Sequence, residues 1–117
     1  MLKLSMDREP FWLDVLPGVR IQFRPATVAA ILAARAAAAE VLRKGGEDAE
    51  TRAGFAFTRA LARSGIVAWE GIGDQDGNPL EPVPEAIDAA LECWPVFDVI
   101  DRLYVAPVLL QADEKNA

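Results

Sequence analysis

The sequence contains no histidine and only one cysteine. Without histidine it lacks the commonest general base, the usual metal ligand and the side chain that changes charge near neutral pH. A lone Cys93 excludes both a disulfide framework and a thiolate zinc site within the chain. Set beside Trp94 in an apolar helical pattern, it reads as a small buried hydrophobe rather than a nucleophile. Long hydrophobic runs are missing as well. The most apolar stretch, residues 28–39, is interrupted by Arg35 and falls short of the roughly 20 residues a membrane-spanning helix needs. The opening MLKLSMDREP is charged and carries no secretory pattern. The reading is a soluble, cytosolic chain without membrane contact.

What is present suits a folded domain. Of 117 residues, 52% are apolar and 26% charged, too hydrophobic for a disordered chain and long enough for a single core. The net charge of −6 conceals a division. Residues 1–68 hold 10 basic and 7 acidic side chains, a balance of +3, whereas residues 69–117 hold 2 basic and 11 acidic, a balance of −9. An acidic second half argues against nucleic acid as its ligand. It fits packing of one half on the other, or a protein partner with a basic surface.

The elements follow from periodicity. FWLDVLPGVRIQFRP alternates apolar and polar residues on either side of Pro17-Gly18, which predicts a hairpin with one apolar face and a type II turn. Residues from Thr27 to Lys44 form an alanine-rich helix capped by Thr27 and stopped by Gly45-Gly46, with Val28, Ile31, Leu32, Ala39 and Leu42 as an apolar stripe. Its alanines allow another helix to approach closely. A second helix is predicted from about Asp48 through Trp69, with Arg52, Arg59 and Arg63 along a basic edge. Gly65 is its weak point. Pro84 and Glu85 open a third helix. Trp94-Pro95 breaks it, and a fourth begins at Pro95 with Val96, Val99, Ile100, Leu103, Pro107 and Leu110 on the buried side, bent or ended by Pro107. QADEKNA is a polar terminus.

The fold class is therefore α+β, mainly helical: an N-terminal β-hairpin followed by about four α-helices in a single domain, 1–117. Its parts are a hairpin region at 1–25, a helical pair at 26–69, a connecting loop at 70–84 and C-terminal helices at 85–112.

The loop between the halves, WEGIGDQDGNPLEPVPE, concentrates oxygen ligands and glycines. Asp74, Asp76, Asn78 and Glu85 fall at the first, third, fifth and twelfth positions of an EF-hand calcium loop. The sixth, which needs glycine for a sharp turn, is Pro79, so the stretch reads as turn chemistry. GIGDQDG lacks the lysine of a phosphate loop, and its acidic surroundings repel phosphate. The carboxylate pairs Asp98/Asp101 and Asp88/Glu92 lie on helix faces and read as solvated acid. No catalytic residue, metal ligand or cofactor site is assigned, and the chain is read as a non-enzyme. For a partner surface the candidates are Trp69, Trp94 and Tyr104, with Asp98 and Asp101 as acidic neighbours.

Taken together, Trp69-x-Gly71, Asp76-Gly77-Asn78-Pro79-Leu80, the proline-bounded helix entry from Pro82 to Glu85, Leu91, Pro95, Tyr104 and the closing Glu114-Lys115-Asn116 give a pattern that resembles phage tail assembly chaperones. These are small non-virion proteins of long-tailed phages and related gene transfer agents. The sequence departs from the pattern at Val83-Pro84, where that group often places a serine or threonine cap. The resemblance implies a chain that binds the tape measure protein, keeps its long apolar helices soluble, aids assembly of the tail tube protein, and stays in the host cytoplasm outside the finished virion. The other readings are a head-tail connector or tail terminator retained in the particle, and a small calcium-binding module. Self-association stays open.

Overall fold

The computed structural model describes residues 1–110. β1 (Phe11–Leu16) and β2 (Val19–Phe23) form the hairpin, antiparallel and in register from Phe11 opposite Phe23 to Leu16 opposite Val19. Pro17 fixes φ at the first turn position and Gly18 takes φ of 78° at the second, the type II arrangement. Such a turn matches strand twist poorly, and the ladder answers with a register shift between Asp14 and Leu16. Ile21 and Phe23 on the inner face are fully buried. On the other face Arg20 lies over the Trp12 ring and pairs with Asp14 and Glu70.

α1 (Val28–Lys44) and α2 (Ala49–Gly65) follow as a helical hairpin. Thr27 caps α1 by accepting from the Ala30 N–H at 3.1 Å, and the Gly45 N–H closes it on the carbonyls of Val41 and Leu42. Only Ala34 of α1 is buried, because α1 packs against α2 and against no other element to a comparable extent. The alanine side faces inward, as close helix approach requires. Of the expected apolar stripe Ile31 is half-buried against the core, whereas Val28, Leu32, Ala39 and Leu42 are exposed.

The second helix stops at Gly65. Residues 66–69, expected within the helical pair, instead enter a third strand, β3 (Ile66–Glu70), antiparallel to β2 in the order β1-β2-β3. Ile66 and Val67 are β-branched, and β2 offers them an unpaired edge, so tertiary pairing overrides the helical pattern. The Arg24 N–H donates to the Gly65 carbonyl at 2.8 Å and fixes the corner.

The loop at 70–84 leads into α3 (Pro84–Leu91), whose first residue is the predicted proline, and α4 (Trp94–Ile100) follows with Pro95 in its first turn. Cys93 precedes α4 and is exposed, not buried as its setting suggested, since the break at Pro95 turns the chain outward there. α4 does not end at Pro107. It passes into a π-helical segment, Asp101–Val105, and a further helical stretch at 106–110. An α-helical proline would press its ring on the carbonyl one turn earlier; the wider π turn just ahead opens that space. The extra residue also moves the inward-facing positions on by one. Tyr104 and Val105 are buried, whereas Leu103, Pro107 and Leu110, expected on the inner side, are exposed. The terminal predictions at residues 111–117, including Glu114-Lys115-Asn116, lie outside the described residues.

One core joins these parts. Val15, Ile21 and Phe23 of the sheet meet Leu61 of α2, Ile87 and Leu91 of α3, and Val96, Ile100 and Val105 of the last helix. Each such side chain contributes about 1.5–3 kcal/mol by leaving water. The result is the mainly helical α+β fold. No helix among the described residues is long and apolar enough to cross a membrane.

Candidate protein-binding groove

Between α2 and the last helix lies an apolar groove of about 700 Å³. One wall follows from helical spacing: Phe97, Asp101, Val105 and Leu109 succeed one another at intervals of four, with Trp94 one turn before Phe97. The other wall is α2, where Thr51, Phe55 and Thr58 face the groove and Gly54 leaves open space. Ala38 of α1 and Leu91 and Glu92 at the end of α3 complete the lining.

The aromatic rings form a stack across the opening. Phe55 and Phe97 lie with centroids 5.5 Å apart, and Trp94 continues the stack 6.0 Å from Phe97. Trp94 is nevertheless 69% exposed. Its position follows from Pro95: a proline in the first turn keeps α3 from running on, and the residue before it is held at the outer corner of the new helix. Deeper in, Thr58 is 2% exposed and donates to the Asp101 carboxylate at 3.2 Å, which satisfies the buried hydroxyl and orients the acid. The lining is apolar and aromatic apart from the two threonines, and its charges, Glu92 and Asp101, are both negative.

The other candidates are dispersed. Trp69 is half-buried, and its indole N–H donates to the Leu80 carbonyl at 2.6 Å, tying β3 to the loop. Tyr104 is 5% exposed and stacks on Phe23 at 4.3 Å, so its place is in the core. Asp98 pairs with Arg102 one turn on. Only Trp94 and Asp101 of the five meet at the groove.

The basic edge of α2 is likewise used up. Arg52 donates to the carbonyls of Glu47 and Gly45, Arg59 lies over Phe55, and Arg63 binds the Asp88 carboxylate with two N–H groups. Each holds a piece of the fold together.

In the loop, the Asp74 carboxylate accepts from the Asp76 and Asn78 N–H groups at 2.9 Å each, and these bonds, led by Asn78, hold its pKa below the ordinary aspartate value. Gly73 and Pro79 face each other as a bridge, closing a tight turn. Glu85 stands apart in the first turn of α3. Among the described residues no three His, Cys, Asp or Glu gather closely enough to hold a metal ion.

The chain matches no protein-family model, no curated protein and no solved structure. The groove and the residues that form it are therefore the guide to its function.

Sequence reasoning did not assign Phe55, Phe97, Thr58 or Leu109 to a site. A signal for half of the groove was there: Phe97, Asp101, Val105 and Leu109 share one helical face with Trp94. The opposing wall depends on how α2 crosses that helix, which no local pattern states.

Proposed function

We propose that this chain is a non-enzymatic tail assembly chaperone of a long-tailed phage or gene transfer agent. It binds helical segments of the tape measure protein in the groove between α2 and the last helix and aids assembly of the tail tube around them. It works in the host cytoplasm and is left behind when the particle is complete. The observation that carries this reading is Trp94, a large aromatic 69% exposed and stacked on Phe97 at the mouth of an apolar groove. Exposed aromatic anchors beside apolar pockets are where binding energy concentrates at protein interfaces. An amphipathic helix lays its apolar side into such a groove, and Glu92 and Asp101 favour one whose flanks are basic. The sequence resemblance from Trp69 onward supplies the identity of the client.

The test has two arms. Peptides spanning the tape measure protein are titrated calorimetrically into the wild-type chain and into Trp94→Ala, and the variant is expected to bind about 30-fold more weakly, the loss of a typical hot-spot residue of about 2 kcal/mol. Quantitative mass spectrometry of purified particles is expected to find the tape measure protein without this chain. Its recovery in particles at a fixed ratio to tail components overturns the reading in favour of a connector or terminator.

A further inference from the structure

Two of the apolar surfaces left open among the described residues differ in shape and charge. The first is convex, the outer side of α1, where Val28, Leu32 and Leu42 are 72%, 54% and 50% exposed. They span about 20 Å at the rise of a helix. Arg35 falls among them by helical spacing and makes no ion pair among the described residues. The second is concave, the groove that ends at Trp94 and carries the charges of Glu92 and Asp101 with no lysine or arginine in its lining. A helix with an apolar side and a cation on it is the ligand such a groove accepts. This chain carries one on its own surface.

The outer side of α1 is turned away from α2, the helix that forms the groove wall, so it cannot reach the groove of its own chain. We propose that α1 of one copy docks in the groove of a second copy, Leu32 toward the aromatic stack of Trp94 and Phe97, and Arg35 toward Glu92. The charges then match across the contact: Arg35 of one molecule meets the two acids, Glu92 and Asp101, that line the groove of the next. Because the two surfaces are different patches, the contact is head-to-tail, and each open assembly keeps one free helix face and one free groove until a ring closes. Self-association does not depend on the chaperone reading, although a client helix and a neighbouring α1 exclude each other from the groove.

Sedimentation velocity of the full chain alone, over a range of concentrations, tests this. The wild type is expected to exceed the monomer mass as concentration rises. Leu32→Glu, which spoils the helix face, and Trp94→Ala, which spoils the groove, are each expected to weaken association by about tenfold or more. Both positions are more than half exposed, so far-UV circular dichroism matching the wild type establishes that the variants are folded. Mixed together, the two variants are expected to form a one-to-one complex that grows no further, since one retains the groove and the other the helix face. Arg35→Glu is expected to weaken association, and adding Glu92→Arg in the same chain to restore it. A wild type that stays monomeric at every concentration overturns the proposal. So does a mixture of the two variants that forms no complex, or either variant associating as the wild type does.

Discussion

The Tyr104 hydroxyl donates to the Arg24 carbonyl over 2.9 Å, joining the π-helical segment to the end of β2 across 80 residues of sequence. The same ring lies 4.3 Å from Phe23, and Phe11 stands 6.3 Å from both. Aromatic stacking and one buried hydrogen bond thus fasten the last helix to the sheet.

The burial of that ring makes stability sensitive to alkali. Burial pushes the Tyr104 pKa up to about 12 from the usual 10.0. The folded protein favours the neutral phenol, so its contribution is complete below pH 10 and is lost as pH rises through the folded value, up to about 2–3 kcal/mol. Tyr104→Phe is expected to cost about 1 kcal/mol at neutral pH by leaving the Arg24 carbonyl without its donor, and to flatten the alkaline fall. Urea denaturation at a series of pH values reads both effects.

Gly65→Ala is expected to destabilise by about 2–3 kcal/mol, as overpacking does. Replacing glycine by alanine in a helix ordinarily gains about 1 kcal/mol, so the sign itself is diagnostic. A Cβ at Gly65 would stand 2.7 Å from Tyr104 Cζ and closer still to its oxygen, and the Gly65 carbonyl is held by Arg24. Thermal denaturation that shows Gly65→Ala as stable as the wild type would refute this packing.

The bond between Arg63 and Asp88 ties α2 to α3. Donation from Arg63 lowers the Asp88 pKa below the ordinary aspartate value. Its stabilisation is therefore full above about pH 4 and disappears as pH falls through the lowered folded pKa. With side chains 44% and 34% exposed, solvent screening limits the contribution to about 0.5–1 kcal/mol. Asp88→Asn is expected to lose that amount at neutral pH and to show a shallower acid limb in denaturant midpoints than the wild type.

Trp69 and Trp94 are expected to behave in opposite ways. Trp69 packs on the core and binds the Leu80 carbonyl, so Trp69→Ala should cost about 3 kcal/mol and Trp69→Phe, which loses chiefly the hydrogen bond, about 1 kcal/mol. Trp94→Ala should stay within about 1 kcal/mol of the wild type, since most of that side chain is already in water. Chemical denaturation of the three variants separates the roles.

Local pattern carried the hairpin, the caps of α1 and the proline that starts α3, because each depends on a few neighbouring residues. β3 was not legible: Ile66 to Trp69 continue the helical spacing of α2, and only the free edge of β2 makes them a strand. Nor did periodicity tell which side of α1 would be buried. It marks Val28, Leu32 and Leu42 as apolar, yet the helix turns its alanines to α2, and nothing in the window reports a neighbour close enough to prefer them. The groove falls between these cases. The helical face with Trp94 and Asp101 could be read, whereas Tyr104 and Trp69, equally aromatic, were told apart from it only by their burial and their hydrogen bonds.

The π-helical segment also governs how the groove keeps its far wall. Each residue turns an α-helix by about 100°, but the wider π turn at Asp101–Val105 takes up one extra residue without swinging the helix beyond it. Deleting a single position there would restore an ordinary helix and leave Leu109 on the wall it completes. The far end of the groove is thus indifferent to one residue of helix length, and the π turn makes it so.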